Sequence, residues 1–211
     1  MSKFHLNIQD LVQGEFKLQK VNVAFVFQVN CPGCFIYGIP IMNEISSLFA
    51  DKAGFIGVAT AFEDFEFNNE ENLKLLLADG TLVGETKKYY NSNYGVSNYS
   101  EPLNFPVTFD RMSKSEDFFN SPSYDMMCNS IPDFTSFSET EQQILKQKIK
   151  AHYAQIPLIG ETFTINQLRG TPSFIIFDDN FNTLGHYFGH QSQEVLKAKL
   201  AELVRMSNKK L

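Results

Sequence analysis

Tryptophan is absent from this chain, and cysteine occurs three times in 211 residues. Three thiols cannot build the even-numbered disulfide framework of a small secreted scaffold, and a chain of this length buries a full core without one. Basic clusters are missing too: 18 Lys and Arg stand against 24 Asp and Glu, for a net charge of −6. A sequence-independent grip on phosphate needs such clusters, so nucleic acid is not expected as a partner. No stretch approaches the ~18 consecutive apolar residues of a spanning helix, so no membrane span is expected. The first ten residues hold no apolar leader segment and no small-residue cleavage site. That makes a cytoplasmic location the expectation, or a periplasmic or secreted one if the N-terminus is processed. Internal repeats and low-complexity tracts are also lacking.

What is present is apolar: 43% of residues are hydrophobic, and 21 of them are Phe, enough for one thick core. A single domain over residues 1–211 is expected. Runs of β-branched and aromatic residues predict strands over 21–29, 55–60, 105–109, 173–178 and 184–188. The first four runs are apolar on both faces, as in a sheet covered on both sides. Helical spacing predicts helices over 35–49, bent at Pro40, and over 193–206. Asn68 and Glu71 stand in capping-box spacing before a helix over 68–78 that stops at Asp79-Gly80. Ser138 and Glu141 predict a second capping box for a helix over 139–153. The order is β-α-β-α-β, then an excursion over about 111–160, then β-β-α. The excursion opens on a loop-like stretch over 113–138, and residues 80–102 show no clear periodicity.

The chemistry concentrates in Cys31-Pro32-Gly33-Cys34, between the first apolar strand and a helix. At a helix N-terminus, free backbone N–H groups and the macrodipole favour a thiolate over a thiol, which makes the first cysteine nucleophilic near neutral pH. The second, one turn on, is close enough to attack the resulting mixed disulfide. The same spacing suits half a zinc site, but Cys128, His5, His152, His186 and His190 form no second tight pair, so no metal is expected. A structural CxxC disulfide is also disfavoured, because its loop is too short to restrain the unfolded chain much. Cys128 reads as a small buried hydrophobe, with a third redox thiol as the alternative. His186 and His190 read as surface residues, and Glu63-Asp64-Phe65-Glu66 as a solvated loop after a strand end.

A second motif is Thr171-Pro172 ahead of the apolar run 173–178. Proline cannot donate to a strand ladder and belongs at a strand's first residue, where a cis bond is possible. With Cys31-Pro32-Gly33-Cys34 and Thr171-Pro172 together, the chain resembles the thioredoxin superfamily, in particular the TlpA-like thiol–disulfide oxidoreductases. The resemblance covers 21–78, 105–110 and 170–206. It implies a thioredoxin-like α/β fold, a central mixed sheet flanked by helices, with a partly helical insertion before the cis-proline strand. It implies Cys31 as the attacking thiol, Cys34 as the resolving thiol and Pro32-Gly33 as the active-site loop. Thr171 and Pro172 become a cis-proline loop offering backbone groups to an extended substrate. The implied partners are protein or small-molecule thiols and disulfides and a redox-recycling partner, without a cofactor.

Three positions depart from that family. Phe25 stands where thioredoxin has a buried acid, and Asn30 where it has a Trp. Pro40 lies six residues after Cys34, one more than usual, which implies a differently wound helix start. Two other readings therefore stay open. One is a peroxiredoxin-like peroxidase, although Gln28 occupies the position of its Thr. The other is a redox-inactive adaptor binding a partner through the insertion.

Overall fold

The structure, a computed structural model, describes residues 2–208. The chain begins with β1 (Ile8–Gln13) and β2 (Val21–Phe27), then a π-helical turn (Cys34–Gly38) that runs into α1 (Ile39–Leu48). Next come β3 (Gly54–Ala59), α2 (Glu70–Asp79), α3 (Gly84–Tyr94) and β4 (Val107–Asp110). An excursion follows through β5 (Met112–Lys114), α4 (Ser115–Phe119), α5 (Pro122–Asn129), α6 (Glu139–Tyr153) and β6 (Leu158–Gly160). After α7 (Glu161–Ile165) the chain closes with β7 (Ser173–Asp178), β8 (Thr183–Phe188) and α8 (Gln193–Asn208).

Six strands form one mixed sheet in the order β1-β4-β3-β2-β7-β8. Strands β2, β3 and β4 are parallel, while β1, β7 and β8 run antiparallel to their neighbours. Because side chains alternate along a strand, β2 feeds two cores. Val23, Phe25 and Phe27 pack with α1 residues Ile39, Met42 and Ile45 and with Leu196 and Leu200 of α8. Ala24 and Val26 face the other way, against Ile56, Val58, Ile175, Phe177 and the N-terminal Phe4. The expected covering of both faces is thus met, and every residue of β2 and β3 is buried.

Between Asp110 and Glu161 the chain leaves the sheet and returns to the same point. Strands β5 and β6 pair antiparallel as the two sides of this neck, and Glu161 N–H donates to Arg111 C=O at 2.9 Å. Beyond the neck, Phe118, Phe119, Tyr124, Met127, Cys128 and Phe134 form a separate small core.

Several expectations change. The stretch 113–138 is no loop but carries β5, α4, α5 and a 3₁₀ turn at Phe134–Ser136, all too short to show a period. Residues 80–102 hold the eleven-residue helix α3. Helix α2 is capped by Asn69, whose side chain accepts from Asn72 N–H, and not by Asn68. The Ser138–Glu141 capping box forms at the start of α6 as read.

Asp110 sits fully buried at the neck. Its carboxylate accepts from Thr60 Oγ1 at 2.7 Å, Thr162 N–H at 2.7 Å and Phe163 N–H at 3.1 Å. Burial outweighs these bonds and lifts its pKa to about 6. A carboxyl that holds its proton more tightly folded than unfolded stabilises fully below its unfolded pKa and loses that contribution as pH rises through 6. Between about pH 4 and 6, Asp110 should therefore remove on the order of 2–3 kcal/mol of stability. Urea unfolding of the native chain and of Asp110→Asn across that range tests this. The difference between the two curves should slope with pH, and a flat difference refutes the assignment.

Candidate active site

Strand β2 ends at Phe27, and the next residues leave the sheet to bring Cys31 to the start of the π-helical turn. Cys34 N–H donates to Cys31 C=O at 2.9 Å and lies 3.2 Å from Cys31 Sγ. The first sulfur thus occupies a helix-cap position, where an acceptor is wanted. Both cysteines are free thiols, Cys31 partly exposed and Cys34 buried. Their surroundings drive them apart. The neighbouring Cys34 thiol does most to lower Cys31, to about 7, against burial, with help from the Thr171 hydroxyl and the N–H groups of Cys34 and Gly33. Burial, reinforced by Cys31 beside it, pushes Cys34 well above the ordinary thiol range. One sulfur is set to ionise near neutrality while the other keeps its proton.

The extra residue before Pro40 is absorbed locally. Ile39 N–H donates to Cys34 C=O, an i→i+5 bond, and the helix then continues as α1 with Pro40 in its first turn, where its missing N–H costs little. Gly38 is what lets this wide turn settle. A Cβ there would lie 2.6 Å from the Phe25 ring and 3.2 Å from Pro172 Cβ. Phe25 itself is fully buried, so no acid stands beneath the dithiol at that position.

Thr171-Pro172, 140 residues away in sequence, meets the cysteines here through a cis peptide. Cys31 Sγ lies 3.7 Å from Thr171 C=O, to which the thiol donates, and Pro172 Cδ would sit 3.9 Å from a Cβ on Gly33. All six residues singled out from sequence, Cys31, Pro32, Gly33, Cys34, Thr171 and Pro172, fall in one place. Sequence reasoning missed Gln28, which is buried and whose Oε1 accepts from the Thr171 hydroxyl at 3.1 Å.

It also undervalued Asn30. Its backbone N–H donates to Asn68 Oδ1 at 2.9 Å, its Nδ2 donates to Asp64 Oδ2 at 2.9 Å, and its Oδ1 accepts from Glu85 N–H at 2.6 Å. One amide ties the residue before Cys31 to the 63–68 loop and to the first turn of α3. The acidic loop is therefore a buttress as well as a solvated segment, with Asp64 held at φ +47°. Gly84, at φ +48°, leaves the room: a Cβ there would lie 2.2 Å from Asn30 Oδ1.

Cys128 lies in the separate core of the excursion, and burial raises its pKa. This matches the reading of a small buried hydrophobe. His186 and His190 are exposed, as read, but His190 stacks on Tyr37 of the π-helical turn with centroids 4.0 Å apart.

No protein-family profile matches the sequence, and no curated protein matches it. Solved structures do. A thioredoxin-like superfamily protein aligns with TM-score 0.56 and 23% identity over 97% of each chain. A thiol-disulfide isomerase from Corynebacterium glutamicum aligns with TM-score 0.55 and 22% identity over 96% of this chain and 95% of that one. The solution structure of a thioredoxin-like protein in its oxidised form gives TM-score 0.51 at 10% identity over 97% and 96%. The fold is thioredoxin-like. In this thioredoxin-like frame the dithiol stands at the C-terminal end of β2, the edge where open α/β sheets carry their sites.

Proposed function

We propose that the protein is a thiol–disulfide oxidoreductase with Cys31 as nucleophile and Cys34 as resolving thiol. The observation that carries the reading is the asymmetry of the pair: a partly exposed Cys31 lowered to about 7 beside a buried Cys34 held protonated. Cys31 thiolate attacks one sulfur of a substrate disulfide, forming a mixed disulfide and releasing the other sulfur as a thiolate. Cys34, losing its proton, then attacks Cys31 Sγ. The Cys31–Cys34 bond forms and the second substrate thiolate leaves, so the substrate gains the two electrons that the dithiol loses. A recycling dithiol, itself oxidised to a disulfide, returns two electrons to the Cys31–Cys34 bond and restores the starting state. Pro32 and Gly33 shape the loop between the sulfurs, and Thr171 and Pro172 offer backbone to an extended substrate strand. The name of the Corynebacterium glutamicum structure, a thiol-disulfide isomerase, is in keeping with this chemistry.

Cys34→Ser tests it. With the resolving thiol removed, incubation with a disulfide-bonded peptide should accumulate a mixed disulfide at Cys31, seen by intact mass and mapped by digestion. A variant that forms no adduct, or forms it at Cys128, refutes the assignment.

A further inference from the structure

Among the described residues, one buried side-chain nitrogen or oxygen has no hydrogen-bond partner, and it is Gln28 Nε2. A buried donor without a partner is costly, so its position calls for an explanation. Gln28 is 2% exposed and stands three residues before Cys31. Its Oε1 accepts a hydrogen bond from Thr171 Oγ1 at 3.1 Å. Thr171 also stands at the dithiol: its C=O lies 3.7 Å from Cys31 Sγ, and its hydroxyl helps to favour the ionised form of each sulfur.

A threonine hydroxyl carries one proton. While that proton points to Gln28 Oε1, none is left for a thiolate. If it turns to a thiolate, Gln28 Oε1 loses its donor and Nε2 is still unpaired. Rotation of the carboxamide by half a turn exchanges the two atoms, since the amide is planar with nearly equal arms. Nε2 then donates to Thr171 Oγ1 and is no longer orphaned, and Thr171 donates onward to sulfur. The exposed cost shifts to a carbonyl, the less demanding group.

We propose that Gln28 is a positioning residue for the dithiol, turning its carboxamide when Cys31 ionises so that Nε2 donates to Thr171 Oγ1 and the Thr171 proton is freed for the thiolate. The inference rests on the reading of Cys31 as the nucleophile. The groups acting on the Cys31 sulfur are Cys34, the Thr171 hydroxyl and the N–H groups of Gly33 and Cys34, so the Gln28–Thr171 pair is the side-chain relay that reaches it from the sheet. Asp64, on the 63–68 loop, is held by the side chain of Asn30.

Thiolate absorbance at 240 nm against pH provides the test, in the native chain, Gln28→Met, Thr171→Val and the double variant. Thr171→Val should raise the Cys31 midpoint by about one pH unit, the weight of one hydrogen bond to a charged group, and Gln28→Met, which leaves the Thr171 hydroxyl in place but without the amide that orients it, should raise it by less. The double variant should shift it no further than Thr171→Val alone, because the two residues act in series. An unchanged midpoint in Gln28→Met, or shifts that simply add, overturns the relay. Should the variants fold poorly, the native chain still decides the matter. The Gln28 side-chain ¹⁵N–H₂ resonances should move with the Cys31 titration, and resonances that stay fixed refute the turn. Loss of mixed-disulfide formation in Cys34→Ser would sink the nucleophile itself. Intact exchange with an unshifted midpoint sinks only the role of Gln28.

Discussion

Cys31→Ser should lower turnover of a protein disulfide by on the order of 10³-fold or more, because the attacking thiolate is the species that begins exchange and a serine hydroxyl does not ionise at neutral pH. The expectation comes from the division of labour between the sulfurs. Cys34 is buried and held protonated, and Cys128 lies in a different core with its pKa raised by burial, so neither can take over the first step. Reduction of insulin, or of a dye-labelled disulfide peptide, measures the loss. Thiol alkylation adds the pH dependence. With Cys31 lowered to about 7, its rate should climb with pH and level off above that value, falling to about a tenth of the plateau one unit below it. Residual turnover within tenfold of the native rate in Cys31→Ser would place the chemistry on another thiol.

The parts of this arrangement that could be read from sequence are those whose cause is local. The apolar runs of β2, β3 and β7 mark buried strands because every residue in β2 and β3, and all but the last in β7, is covered. The capping box of α6 is legible because Ser138 and Glu141 satisfy each other. Helix α3 hides for the opposite reason. Its N-cap is Val83, which has no side-chain acceptor, and the first-turn N–H of Glu85 is met by Asn30 Oδ1 from 55 residues away. The same distant partner explains the shifted cap of α2. Asn68 has its Oδ1 taken by Asn30 N–H and gives its Nδ2 to Glu63 C=O, so Asn69 does the capping. Strand β1 escapes notice because it is a half-exposed edge strand without an apolar run. At the site itself, the motif residues are evident from type and spacing. Gln28 becomes meaningful only when Thr171 is brought beside it.

Phe25→Ala should be strongly destabilising, costing about 3–5 kcal/mol by the usual toll of emptying a fully buried aromatic site. The ring stacks on Phe27 at 5.1 Å and Phe174 at 4.9 Å and meets Phe105 edge-on at 6.0 Å. It is also the surface on which Gly38 and the π-helical turn rest. Three aromatic neighbours fixed by their own strands and loop leave little scope for collapse into the gap, which places the cost in the upper part of the large-to-small range. For a chain of this size, the loss corresponds to a melting temperature lower by on the order of 10 °C. Phe25→Asp should be worse, since it would bury an acid among aromatic faces. A phenyl ring cannot accept a proton, so in the proposed exchange the Cys34 proton leaves by another path. Calorimetry together with the alkylation midpoint of Cys31 separates packing from chemistry. Phe25→Ala should melt early yet keep its midpoint near 7, because the groups that lower Cys31 come from Cys34, Gly33 and Thr171. Melting like the native chain would mean that the aromatic stack is not what supports the turn.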